Sequence, residues 1–150
     1  MIYLDNASTT YPKPDKVYKA MDDFLRTEGV SPGRGAYGSA MHAGYLITEA
    51  RAKITKFFGG DKPERLIFTL NTTDALNIAI KGVLKEGDNV ITSHLEHNSV
   101  LRPLKRLEAS KVITLTQIDN SPDGFVDPDD IKKAMNKETK LVAIVHASNV

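Results

Sequence analysis

Residues 66–77 read Leu66-Ile67-Phe68-Thr69-Leu70-Asn71-Thr72-Thr73-Asp74-Ala75-Leu76-Asn77, an apolar run that breaks into a hydroxyl-rich turn and resumes as a helical pattern. Such a strand–turn–helix junction suits an anion, because the first helical turn leaves backbone N–H groups without intrahelical acceptors and carries a partial positive charge. The Thr72 and Thr73 hydroxyls add donors. The same residues also fit ordinary capping, with Asn71 or Thr72 as N-cap and Asp74 as a first-turn acid. Two further strand-end motifs, Glu96-His97 and Ser148-Asn149, follow at the intervals of an open α/β sheet. Sheets of that kind gather ligands at the C-terminal ends of their strands, which favours a binding role for the junction.

Working outward, apolar runs alternate with helical patterns: strand 65–70, helix 73–84, strand 89–93, helix 98–108 and strand 111–116. Asp127-Pro128 opens a helix that fades near Asn136, and Leu141 to Val145 reads as a last strand, apolar throughout and therefore expected to be covered on both faces. Strand and helix in repeated alternation define an α/β fold, a partial and mostly parallel sheet with flanking helices. Upstream, Pro12-Lys13-Pro14 separates an irregular arm from a helical pattern carried by Val17, Ala20, Met21, Phe24 and Leu25. A glycine-rich loop at 29–38 precedes an amphipathic helix from about Ala40 to Phe58, stopped by Gly59-Gly60.

The 150 residues, 41% of them hydrophobic, suffice for one buried domain. Twenty basic and 19 acidic side chains leave a net charge of +1, which gives no electrostatic footprint for nucleic acid or an anionic membrane. With no cysteine there is neither a disulfide framework nor a thiolate metal site, and any thiol nucleophile must come from elsewhere. His94-Leu95-Glu96-His97 has the His-x-Glu look of a zinc deaminase, but that pattern needs a Pro-Cys-x-x-Cys partner, so no metal is expected. No run approaches membrane-spanning length and no signal pattern opens the chain, so a cytoplasmic location is expected.

Taken together, Tyr3-Leu4-Asp5-Asn6-Ala7 with Thr9-Thr10, the segment 68–77, Glu96-His97 with Ser99, and His146-Ala147-Ser148-Asn149 resemble, in order and spacing, the amino-terminal part of the cysteine desulfurases and their class V aminotransferase relatives. The resemblance runs through essentially the whole chain. It implies pyridoxal phosphate as cofactor and the front part of the fold type I large domain, with residues 1–14 an arm of the small domain and 15–150 an incomplete cofactor-binding domain. Carried onto these positions, it makes Thr72 and Thr73 phosphate ligands. His97 becomes the ring-stacking and proton-relaying histidine, a role that suits a flat imidazole of near-neutral pKa. Asn149 becomes the donor to the cofactor's phenolic oxygen. Asn6, Ala7, Arg34 and His42 fall on the substrate side, although loop flexibility alone explains the glycines around Arg34 and polar arm residues are more often structural.

The family's Schiff-base lysine follows a histidine, and no His-Lys pair occurs here. The acid that pairs with the ring nitrogen, the substrate-carboxylate arginine and the nucleophilic cysteine are likewise expected beyond Val150. The resemblance therefore implies the front of an enzyme, inactive by itself, whose parent converts cysteine to alanine and passes sulfur to an enzyme thiol. It implies a homodimer and a sulfur-acceptor protein as partners. Selenocysteine lyase and aminotransferase activities share every motif present, and a non-catalytic remnant or binding module is the alternative from another class. A generic nucleotide-binding domain is weaker, for no Gly-x-Gly-x-x-Gly or Walker motif occurs.

Overall fold

Val90, Ile91 and Thr92 are β-branched residues inside β1, Asp88–Ser93, which is buried along nearly its whole length. A strand buried on both sides must lie between neighbours, and β1 is the centre of a three-stranded parallel sheet of order β2-β1-β3, flanked by β2 (Ile113–Ile118) and β3 (Thr139–Ala143). The computed structural model describes residues 2–147. By contacts the chain divides at Ile67 into two compact units, and the sheet belongs to the second.

In that second unit, α3 (Thr72–Val83) packs against α4 (Asn98–Ala109), and α4 packs on β2. Ile80, Val90, Val100, Leu104 and Ile113 form the core between helices and sheet, extended by Leu76, Leu107, Leu115 and Leu141. The register is pinned by a polar bridge. Asn89 donates its side-chain amide to the hydroxyls of Thr114 (3.0 Å) and Thr116 (3.1 Å) on β2, and its carbonyl accepts from Thr139 (3.1 Å) on β3. These bonds fix Asn89 against both neighbouring strands, and the β1–β3 pairing shifts by one residue just after it, between Asn89 and Val90. A short α5, Pro128–Ala134, starts at Asp127, whose carboxylate caps the Asp129 amide, and touches β2.

Helix α4 ends in a left-handed turn. Lys111 has φ +58°, its amide donates to Glu108, and the Val112 amide donates to Leu107. In the first unit, α1 (Asp15–Thr27) has no buried residue, while α2 (Gly38–Phe57) buries Ala40, Ala43 and Thr55. The expected glycine stop is present: Gly59 has φ +74°, and the amides of Gly59 and Gly60 return to the carbonyls of Lys56 and Thr55.

Two sequence expectations need correction. Residues 65–70 do not form a strand; a 3-10 turn at Pro63–Arg65 leads into an extended stretch in which Ile67 is 71% and Leu70 90% exposed. Strand propensity there is satisfied locally, but no strand among the described residues forms a ladder with it, and ladders are non-local. β3 was expected to be covered on both faces, yet its burial alternates and Val142 remains exposed, as suits the edge of this sheet.

Candidate functional site

The amino end of α3 is built by Asn71, whose side-chain carbonyl accepts the Asp74 amide at 2.9 Å while its backbone carbonyl takes the Ala75 amide. The cap leaves part of the helix start unused. The cap uses the third amide of the helix, whereas the amides of Thr72 and Thr73, first and second, have no acceptor four residues back. Both threonines are exposed, so two hydroxyls and two amides are available at the positive end of the helix. That donor set fits a phosphate group.

At the end of β1 the chain turns through 94–97 into α4. His97 is the N-cap: its Nδ1 accepts the Ser99 amide at 3.1 Å and lies 2.8 Å from the Ser99 hydroxyl. An Nδ1 that accepts from a backbone amide places the neutral ring's proton on Nε2. The ring of this exposed residue is thus anchored at one nitrogen, which leaves the other without a partner in the turn. Residues of the α3–α4 pair line a cleft of about 330 Å³, with Thr73, Asn77 and Lys81 on one side and His97, Ser99, Arg102 and Arg106 on the other. No carboxylate lines it. Two residues expected to share a site, Thr73 in the first turn of α3 and His97 at the N-cap of α4, do border the same cleft; Thr72 is beside Thr73 but not in the lining.

The other candidates are placed as follows. Asn149 lies outside the described residues. Asn6, Ala7, Arg34 and His42 belong to the first unit. Asn6 accepts the Tyr11 amide through its side chain (3.2 Å), Ala7 is exposed in the turn that follows, and Arg34 is exposed in the glycine-rich loop. His42 pairs through Nδ1 with Glu28 at 2.5 Å. The side chains of the 94–97 motif diverge: His94 faces Asp119 (3.4 Å), Glu96 turns inward and His97 binds Ser99. Among the described residues no group of three or more histidine, cysteine or acidic side chains is arranged to hold a metal ion, and no helix is long and apolar enough to cross a membrane.

Sequence reasoning missed the cationic wall. Its signal was present in spacing, since Thr73, Asn77 and Lys81 recur at four-residue steps, as do Arg102 and Arg106.

The three-stranded parallel sheet with its flanking helices defines an α/β architecture. The profile of the aminotransferase class-V family matches residues 2–150, and the chain belongs to that family. It is similar to the cysteine desulfurase IscS of Dictyoglomus turgidum, 43% identical over 99% of this chain and 38% of the relative. A probable cysteine desulfurase of Methanothermobacter thermautotrophicus is 37% identical over 99% of this chain and 36% of its own length. Among solved structures, the apo cysteine desulfurase of Thermococcus onnurineus superposes with a TM-score of 0.89 at 33% identity, covering 99% of this chain and 37% of that one. The chain therefore spans under two-fifths of the length of these relatives, and its fold matches their amino-terminal part. These families are generally dependent on pyridoxal phosphate.

Proposed function

We propose that this chain forms the phosphate-binding and ring-stacking part of a pyridoxal-phosphate-dependent cysteine desulfurase. The observation that carries the reading is that Thr73 and His97, at the starts of successive helices, border one cleft beside a helix start with two free amides. When bound, the cofactor supplies an electron sink for bonds at the α-carbon of an amino acid. Thr72 and Thr73 bind its phosphate through hydroxyls and amides. His97 presents its face to the ring and its Nε2 to a proton in transfer, while Ser99 keeps the imidazole from rotating. Asn149 donates to the phenolic oxygen, and Asn6, Ala7, Arg34 and His42 act on the substrate side. The net change breaks the C–S bond of cysteine, releases alanine and leaves sulfur on an enzyme thiol outside residues 1–150.

The parent is read as a cytoplasmic homodimer that serves a sulfur-acceptor protein, with 1–14 as small-domain arm and 15–150 as part of the large domain. Selenocysteine lyase and aminotransferase chemistry are the alternative outcomes for the same cofactor site. A second reading, a non-catalytic module, is favoured for residues 1–150 taken alone by the absence of a His-Lys pair.

The test uses the family-length enzyme carrying these residues. Replacing Thr72 and Thr73 together by valine removes two hydroxyl donors to a charged oxygen, each worth ~1.5–3 kcal/mol, and should weaken cofactor retention at least tenfold. His97→Ala should lower alanine release more than cofactor occupancy. Unchanged affinity in the first variant, or full turnover in the second, would defeat the reading. Residues 1–150 by themselves should release no alanine from cysteine.

A further inference from the structure

Glu96 is buried, 8% exposed, next to the exposed His97. Its Oε1 accepts the main-chain amide of Val145 at 2.6 Å and the hydroxyl of Ser93 at 2.9 Å, and Ser93 in turn accepts the Leu95 amide at 3.2 Å. The position of these bonds matters. Regular pairing of β1 with β3 ends at Thr92 and Ala143, where the Thr92 hydroxyl adds a bond to the Ala143 carbonyl at 2.8 Å. Val145 lies two residues past that last pair, so the carboxylate takes over where the ladder stops. It links parts of the chain 49 residues apart.

We propose that Glu96 is a positioning residue, which fixes the chain leaving β3 against the turn that carries His97. This rests on the reading of His97 and the 146–149 segment as parts of one cofactor site. The turn 93–97 is short, so the inward bonds of Glu96 constrain the backbone of its neighbour. Without the carboxylate, the half-buried Val145 amide and the buried Ser93 hydroxyl would each lose an acceptor, and the two strand ends would lose their common anchor. Sequence alone gives Glu96 no such role, because its partner lies a whole βαβ unit away.

The experiment uses the family-length enzyme with Glu96→Ala, Glu96→Gln and Glu96→Asp, reading hydrogen exchange at the Val145 amide, the absorbance of added pyridoxal phosphate, and kcat separately from KM for alanine release. Glutamine keeps an oxygen at the right reach and should preserve all three. Aspartate keeps the charge but is one methylene short. It should speed Val145 exchange roughly tenfold, shift the cofactor band and lower kcat with little change in KM, as should alanine. If alanine fails to fold, the aspartate and glutamine pair carries the comparison. Unchanged exchange in the aspartate variant would overturn the clamp. Faster exchange with an unaltered band and kcat would overturn the positioning role. A parent enzyme that binds no pyridoxal phosphate would defeat the reading of the site and the positioning role with it, while Val145 exchange would still report the clamp.

Discussion

Helices α1 and α4 carry comparable amphipathic patterns, yet α1 buries none of its residues and α4 buries Ser99, Val100, Pro103 and Leu104. The contrast runs through their units. In residues 2–67, Met21, Leu25, Met41, Tyr45, Phe57 and Phe58 are all exposed, whereas in residues 68–147 the sheet and two helices close over a core in which Val90 and Leu104 have no exposed surface. An amphipathic pattern is local to a helix, but burial of its apolar stripe, the source of most of its stability, needs a facing surface. In the second unit the parallel sheet supplies one.

The largest expected effect tests that contrast directly. Leu104→Ala removes methyl groups from a closed core and should cost about 2–5 kcal/mol, whereas Leu25→Ala, at a position 68% exposed, should change stability by roughly 0.5 kcal/mol or less. Both are read in the family-length enzyme from native-state exchange of amides in the same unit as the substitution. A large loss at Leu25 would mean that α1 packs on a surface beyond the described residues, and would break the comparison as drawn.

What was legible in the sequence follows the same division. Strands β1 and β2, and helices α2, α3 and α4, appear within a few residues of their expected positions, because period and caps are local properties. Residues 65–70 carry an equally good apolar run, but a strand exists only with a partner, and none is written into the run itself. At the site, His97 could be placed at a strand end and Thr73 at a helix start from spacing. The anchoring of His97 by Ser99 could not, for it depends on the ring turning back to cap its own helix. Glu96 reads as half of a motif, and only the fold brings Val145 to it.

A smaller effect compares the two helix ends that share one geometry. Gly59 closes α2 and Lys111 closes α4, both with positive φ and both with amides returned to the last carbonyls. A Cβ costs about 1–2 kcal/mol in that conformation. Gly59→Ala should therefore destabilise the first unit by about 1 kcal/mol, and Lys111→Gly should stabilise the second by about the same amount. Exchange at the last-turn amides of each helix checks both. Equal and opposite shifts would show that helix ends are governed locally in both units, however different their burial.

The smallest effect separates two functions held by one turn. Asn71 caps α3 through the Asp74 amide, and the proposed phosphate contacts use the amides before it. Asn71→Asp preserves the capping oxygen, so helix stability should hold or rise slightly, since an anion is favoured at a helix start. The added charge, however, stands beside the position proposed for the phosphate. At a separation of several ångströms near a protein surface, repulsion of roughly 1 kcal/mol is expected, about a fivefold loss of pyridoxal phosphate affinity. Asn71→Ala should reverse the pattern, costing about 1 kcal/mol of helix stability with a smaller effect on the cofactor. Titration with pyridoxal phosphate, alongside exchange at Asp74, reads the two consequences separately. If Asn71→Asp lowered neither affinity nor stability, the anion would have to bind elsewhere, and the amino end of α3 would be an ordinary capped helix.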